Sequence, residues 1–315
     1  MRFRRLGRTG LDISELTIGT AGLAQTGRDP KQARAAIAIA LDRGINAVEM
    51  RAGCEDTAAL VGGLLRNRSR GDGVHILARV SSLIRFDLPS PHVPVQQAYP
   101  GHHIRAETEA LLRTLRVERL GVQQLHAWCP EWLREGDWLE TLQRLREEGK
   151  IAGFGISLFD HDVDAALEAV ASGAVDTVQV MYNLFDQGAA SALLPLCLRH
   201  DIGVIARSPL YYGALVSSPS RFSEFPPGDW RHDYFFDEHR SETDQRASRL
   251  ARGVGSPDRS LSDLALRFCL SHPAVSTAAV GMRSPAHVEA NLYAAAGSRL
   301  DADERASLAD HAWLC

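Results

Sequence analysis

Gly153-Phe154-Gly155-Ile156, Thr177-Val178-Gln179-Val180-Met181 and Val204-Ile205-Ala206 are short, mostly apolar runs, separated by the amphipathic stretches His161–Ala171 and Ala189–His200. Short apolar runs bounded by turn residues read as buried strands, and the longer periodic stretches read as helices. Strand, helix, strand, helix, strand is the pattern of a parallel sheet, because a parallel crossover needs a connection of helix length. The rhythm continues in both directions. Leu16–Gly19, Ile45–Glu49, Val74–Val80, Val122–Leu125 and Thr277–Val280 are further strand-like runs, and Pro30–Arg43, Asp56–Arg66, Arg105–Leu115, Trp138–Glu148, Leu261–Ser271 and Pro285–Ala296 are helical. Pro30 and Pro285 fall at first helical positions. Gly44, Gly149, Gly173 and Gly203 fall just past helix ends, where caps belong. Eight strands fit a closed barrel or an open sheet. No GxGxxG follows the first strand, which argues against an open dinucleotide-binding sheet. The expectation is one α/β domain over residues 1–315, a (β/α)8 TIM barrel.

Composition narrows the function. The chain has 315 residues, 45% hydrophobic and 23% charged, with a net charge of −4. These are values of an ordinary globular protein, and the acidic balance argues against nucleic acid as a partner. No apolar run is long enough to span a membrane. The N-terminus is charged but has no apolar core of a signal peptide. Cys54, Cys129, Cys197, Cys269 and Cys315 are widely spaced, without a CxxC pair or a His/Cys cluster. Neither disulfides nor a metal site is expected, and the reading is a cytoplasmic protein with a small-molecule substrate. The sequence carries no signal for an oligomeric state. Lys31 and Lys150 are the only lysines, so a single Lys-to-Arg change carries little weight. Two long connections, Ser81–His103 and Ser208–Ser241, follow strands and so belong on the C-terminal face, where barrel enzymes carry their sites. The second holds Tyr211, Tyr212, Phe222, Phe225, Trp230, Tyr234 and Phe236, and is expected to be a lid over a partly apolar substrate.

Several motifs in order resemble the aldo-keto reductases: Arg5-Leu6-Gly7-Arg8-Thr9-Gly10-Leu11, Gly44-Ile45-Asn46, Gln124-Leu125-His126, Gly155-Ile156-Ser157, Gln179-Val180-Met181-Tyr182-Asn183, Ala206-Arg207-Ser208-Pro209-Leu210, and Val280-Gly281-Met282-Arg283-Ser284-Pro285 with Glu289 and Asn291 behind it. The resemblance implies an N-terminal β-hairpin and a barrel that binds NADP(H) extended across its C-terminal face. It places Ser157 and Gln179 at the nicotinamide carboxamide, although Leu158 replaces the usual Asn. It places the flat face of Arg207 against the nicotinamide, with Ser208 and Leu210 of the same run at the cofactor. Gly281, Arg283, Ser284, His287 and Asn291 match the segment that grips the 2′-phosphate. A strand end, a helix N-terminus and a guanidinium also make an anion site on their own physics.

The resemblance breaks at the catalytic centre. Family members carry an Asp, a Tyr five residues later, a Lys ending the third strand and a His ending the fourth. The matching positions are Glu49, Cys54, Arg79 and His126. The whole loop Glu49-Met50-Arg51-Ala52-Gly53-Cys54-Glu55 departs from the family's Asp-Thr-Ala-x-x-Tyr-Gly. The family's Tyr gives the carbonyl oxygen its proton, with a pKa lowered by the Lys. Cys54 is shorter and a weak donor, and Arg79 holds its protons. Glu49 and Arg79 are expected to form a buried ion pair. Cys54 reads as a small filler or as a thiol near positive charge. His126 reads as the group that polarises an oxygen or moves a proton. His92, His102 and His103 are further acid/base candidates or solvated side chains. Three functions stay open: an NADP(H)-binding enzyme with altered chemistry, redox or non-reductive such as cyclisation, elimination or epimerisation; a carbonyl reductase in which His126 or a lid Tyr such as Tyr211 or Tyr212 donates the proton; and a non-catalytic NADP(H) sensor.

Overall fold

The computed structural model describes residues 1–23, 30–51, 54–66, 73–84, 93–216, 225, 228–253 and 260–313. Ala52, Gly53, His92, Phe222 and Cys315, all named above, lie outside them. Strands β3 (Leu16–Gly19), β4 (Ala47–Arg51), β5 (His75–Ser81), β6 (Leu120–His126), β7 (Ile151–Ser157), β8 (Thr177–Met181), β9 (Gly203–Arg207) and β10 (Val275–Gly281) close into a parallel barrel in the order β10-β3-β4-β5-β6-β7-β8-β9. Each strand matches a run expected from the sequence. β1 (Phe3–Arg5) and β2 (Asp12–Ser14) form the antiparallel N-terminal hairpin.

Strand alternation sorts the side chains. Leu6 and Ile13 from the hairpin region pack with Ala47, Leu77, Val122 and Ile205 as a small apolar cluster inside the barrel. Successive residues of a strand point to opposite faces. Two residues on from those inward positions come Glu49, Arg79, Gln124 and Arg207, and beyond the first three come Arg51, Ser81 and His126. The barrel interior therefore has an apolar floor and a polar, charged upper end. The intervening residues, such as Val48, Met50, Ile76, Ala78, Val80 and Leu125, join the large core between the strands and the helices.

The surrounding helices are α1 (Pro30–Asp42), α2 (Glu55–Leu65), α3 (Val95–Ala98), α4 (Gly101–Leu115), α5 (Trp138–Glu147), α6 (Leu167–Ala171), α7 (Leu193–Arg199), α8 (Arg231–Tyr234), α9 (Asp237–Gly253), α10 (Leu261–Ser271), α11 (Pro285–Ala296) and α12 (Ala302–Ser307). Gly44, Gly149 and Gly173 have positive φ, as helix-ending glycines do. Gly203 does not serve that role. The left-handed residue after α7 is Asp201, at φ 55. Gly203 is needed for space instead: a Cβ there would lie 2.7 Å from Leu6 Cδ1, so the hairpin seats against the barrel only where this strand has no side chain.

Both long connections carry helices that were not expected. The connection after β9 is not a loop as far as Ser241, because α8 and then α9 begin within it. The sequence of α9 hides its helix: its buried positions are His239, Thr243, Ala247 and Leu250, a helical stripe with only two apolar members. The lid aromatics pack largely on one another. Tyr211 is 1% exposed and meets Phe185, Tyr234 and Phe235 edge to face, whereas Trp230 and Phe236 stay exposed. The described aromatics of this connection are thus partners mainly to one another. Finally, α4 starts at Gly101, so His102 and His103 lie in its first turn, and the His103 ring bonds the Ser81 carbonyl at 2.8 Å.

Candidate active site

The inward-facing strand ends bring six of the expected residues together. Glu49 from β4 and Arg79 from β5 are both almost fully buried and meet at 2.5 Å, Oε1 to Nη2. The pair is ionic by distance but lacks the angle of a hydrogen bond: Glu49 Oε1 and Arg79 Nε have no hydrogen-bond partner among the described residues. His126 ends β6, and its Nδ1 lies 3.1 Å from Ser157 Oγ at the end of β7. Gln179 on β8 is the register partner of Ser157, and its Oε1 accepts from Gln124 Nε2 at 3.0 Å. Tyr99 supports this end of the barrel, with its hydroxyl donating to the His126 carbonyl.

Burial first, then the guanidinium groups of Arg79, Arg207 and Arg51, push the His126 pKa well below the usual histidine value. His126 is therefore a neutral imidazole at pH 7. An unfolded chain carries an ordinary histidine at 6.5. Below about pH 6.5 the unfolded state takes a proton that folded His126 refuses, so its contribution to stability is full above that pH and shrinks as pH falls. His272, lowered to about 4 by burial and by Arg305 and Arg4, acts in the same direction, and His161, raised by its bond to Asp186, acts in the opposite one. The specific signature of His126 is a difference. Between about pH 7 and about pH 5, His126→Gln is expected to lose less stability than the unchanged protein in urea denaturation. Parallel losses would mean that the ring is not held neutral.

Arg207, at the end of β9, is held on three sides. Its guanidinium pairs with Asp160, donates to the Leu158 carbonyl at 3.0 Å and donates to the Tyr212 hydroxyl at 3.3 Å. Tyr212 in turn donates to Asp160 Oδ2 at 2.6 Å. Burial opposes the charge on Arg207, but Asp160 and Tyr212 outweigh it and the pKa rises. Burial pushes the Tyr212 phenol up to about 12, so it stays protonated. The turn that follows is strained: Ser208, Tyr211 and Tyr212 all have positive φ without being glycine. Such strain gathers at functional segments. Ser208 accepts from Asn183 Nδ2 and the Tyr211 amide, and Leu210 precedes the 3-10 turn Tyr211–Gly213.

The last group lies where β10 meets α11. Ser284 is the N-cap of α11, accepting from the His287 amide, and Pro285 follows at a first-turn position, as expected. Gly281 ends β10 with open space around it, and Asn291 turns its amide back to the Gly281 carbonyl at 3.4 Å. Gly22 packs against the Arg283 side chain, where a Cβ would come within 3.1 Å of Cδ. Cys54 is the N-cap of α2, without a capping bond from its side chain. Arg51, Asp160 and Gln124 were not singled out as site residues from sequence. Strand alternation from Glu49 and His126 points to Arg51 and Gln124, whereas nothing local marks Asp160.

A parallel eight-stranded barrel with charged and polar side chains gathered at the C-terminal strand ends, beside a capped helix N-terminus, defines an enzyme of the (β/α)8 class. The chain belongs to the aldo-keto reductases: the Aldo/keto reductase family profile matches residues 15–312. An uncharacterized oxidoreductase of Bacillus subtilis, YqkF, is 28% identical over 99% of this chain and 96% of its own length. L-galactose dehydrogenase of Arabidopsis thaliana is 25% identical over 93% and 88%. Among solved structures, the holo form of aldo-keto reductase AKR11C1 from Bacillus halodurans superposes with a TM-score of 0.78 at 25% identity, covering 99% of this chain and 96% of that one. The protein is thus an oxidoreductase-type enzyme on the aldo-keto reductase scaffold. Among the described residues, no helix is long and apolar enough to cross a membrane.

Proposed function

We propose that the protein is an NADP(H)-dependent oxidoreductase of a small carbonyl compound whose oxygen is activated by Arg79 and His126, without a tyrosine. The observation that carries this reading is the His126 ring at the barrel mouth, its Nδ1 3.1 Å from Ser157 Oγ, on the strand between those of Ser157 and Arg79.

The residues fit an extended dinucleotide. Ser157 and Gln179 offer a hydroxyl and a carboxamide from neighbouring strand ends, suited to a carboxamide. Arg207 is gripped by its edges, and because guanidinium N–H bonds lie in the plane, its face remains for stacking on a ring. Ser284, Arg283 and His287 at the start of α11 suit a phosphate. Bound there, the cofactor supplies a hydride to the substrate carbon.

The protein's part is electrostatic. Ser157 Oγ–H donating to Nδ1 leaves the His126 proton on Nε2, where it can be donated to a carbonyl oxygen. Arg79 stabilises the negative charge that grows on that oxygen. Glu49 orients the guanidinium and offsets its charge. The alkoxide then takes its proton from water at the mouth, since Arg79 holds its own. Generic aldehydes, which lack any further hold on the site, turn over slowly in this scheme.

The cofactor reading is tested by titration with NADPH and NADH, following tryptophan fluorescence. NADPH is expected to bind more tightly, and Arg283→Ala to weaken NADPH by about 1.5–3 kcal/mol while leaving NADH nearly unchanged. Equal affinities would refute the 2′-phosphate preference. Tight NADPH binding with no oxidation by any carbonyl compound would instead favour non-reductive chemistry or a sensor.

A further inference from the structure

The substrate side of the barrel mouth is rich in donors and short of acceptors. Arg51 ends β4 on the inward row that holds Ala47 and Glu49, and its register partner on β5 is Arg79. Arg51 is exposed and makes no ion pair among the described residues, not even with Glu55 or Asp56 in the first turn of α2. Arg79 is 9% exposed, and its Nε finds no acceptor among the described residues. Among the described residues, Glu49 is the carboxylate paired with one of these two guanidinium groups, so one positive charge is left over there. Next to them, His126 is bonded through Nδ1 alone among the described residues. Arg207 differs, because Asp160 neutralises it.

Barrel closure gives the imbalance a direction. In the order β10-β3-β4-β5-β6-β7-β8-β9, β4 and β5 stand across the barrel from β8 and β9. Gln179 and Arg207, assigned above to the cofactor, are on the far side from Arg51 and Arg79. An anion held by the latter pair would therefore belong to the substrate.

We propose that the substrate is an anionic carbonyl compound whose carboxylate or phosphate ester is held by Arg51 and Arg79. The carbonyl half of this statement rests on the proposed function; the anion-binding half does not. Guanidinium groups bind both anions in a forked, charge-assisted manner, stronger than neutral hydrogen bonds. Arg51 acts as the specificity residue. It sits at the exposed end of the strand, where an incoming anion meets it first, and Arg79 brings the anion within reach of the inner site. The arrangement selects against neutral aldehydes by leaving that charge unanswered.

The test is calorimetric titration of the NADPH-loaded protein with benzoate, phenyl phosphate and benzamide. At least one of the two anions is expected to bind about 10- to 100-fold more tightly than benzamide. A response to benzoate alone assigns a carboxylate, and a response to phenyl phosphate alone assigns a phosphate ester. Arg51→Gln, which breaks no ion pair among the described residues, is expected to remove most of the difference while NADPH binding stays unchanged. Equal binding of all three compounds, or a preference that survives Arg51→Gln, overturns the proposal. Benzoate bound through Arg51 in a protein that fails to bind NADPH would overturn the proposed function and leave the anion site standing.

Discussion

Replacing His126 by alanine is expected to lower single-turnover hydride transfer by about 10²- to 10³-fold, the usual cost of removing one hydrogen-bond donor from a developing oxyanion. The substitution removes Nε2–H from the oxygen while leaving Arg79, Ser157, Gln179 and Arg207 in place. NADPH affinity should therefore stay within about twofold, since the groups assigned to the cofactor stand on β7, β8, β9 and α11. The measurement is nicotinamide absorbance under enzyme excess, with an anionic carbonyl compound that the unchanged protein reduces. A loss smaller than about threefold would show that the ring is structural and that Arg79 alone stabilises the oxyanion. The fold is not threatened by the change, because among the described residues the ring makes one side-chain bond, and it sits at the open end of the barrel.

Glu49→Leu is expected to destabilise the protein by about 3–5 kcal/mol, measured by urea denaturation. The reason is the partner left behind. Arg79 is nearly buried, its Nε is without a hydrogen bond among the described residues, and Glu49 is its ionic neighbour. Taking one member from a buried pair strands a charge in a medium that solvates it poorly. Glu49→Leu combined with Arg79→Met should recover most of that loss, because two apolar side chains replace two desolvated charges. The double variant should nonetheless be inactive, having no cation for the developing charge. If Glu49→Leu alone were to cost under about 1 kcal/mol, Arg79 would have to be reached by water, and the dry oxyanion site would fall. Recovery of stability without recovery of activity separates what the pair does for the fold from what it does for the reaction.

The eight barrel strands are legible in the sequence, though not to the residue. β7, β8 and β9 have two-sided burial, so their residues run apolar on both faces, and short runs of that kind have few other homes in a soluble domain. Alternation also explains why Glu49, Arg79, His126, Ser157, Gln179 and Arg207 stand out in the sequence alone: each lies near the end of a strand on the inward row. α9 is not legible, because its buried stripe of His239, Thr243, Ala247 and Leu250 is half polar. Gly203 is misleading for a related reason. Its place after a helix resembles a cap, whereas its requirement comes from Leu6, nearly two hundred residues away in the chain.

The chain's own sequence determined the barrel and the chemical types at its mouth, because backbone geometry fixes which residues of a strand share a face and that periodicity is local. Only the tertiary structure decided how the charges are matched. Asp160 lies in the connection after β7 and Arg207 at the end of β9, and closing the barrel makes them a pair. The same closure gives Glu49 to Arg79 and leaves Arg51 without an ion-pair partner among the described residues. Ion pairing depends on distances of a few ångström between strands far apart in sequence, and no pattern along one strand encodes those distances.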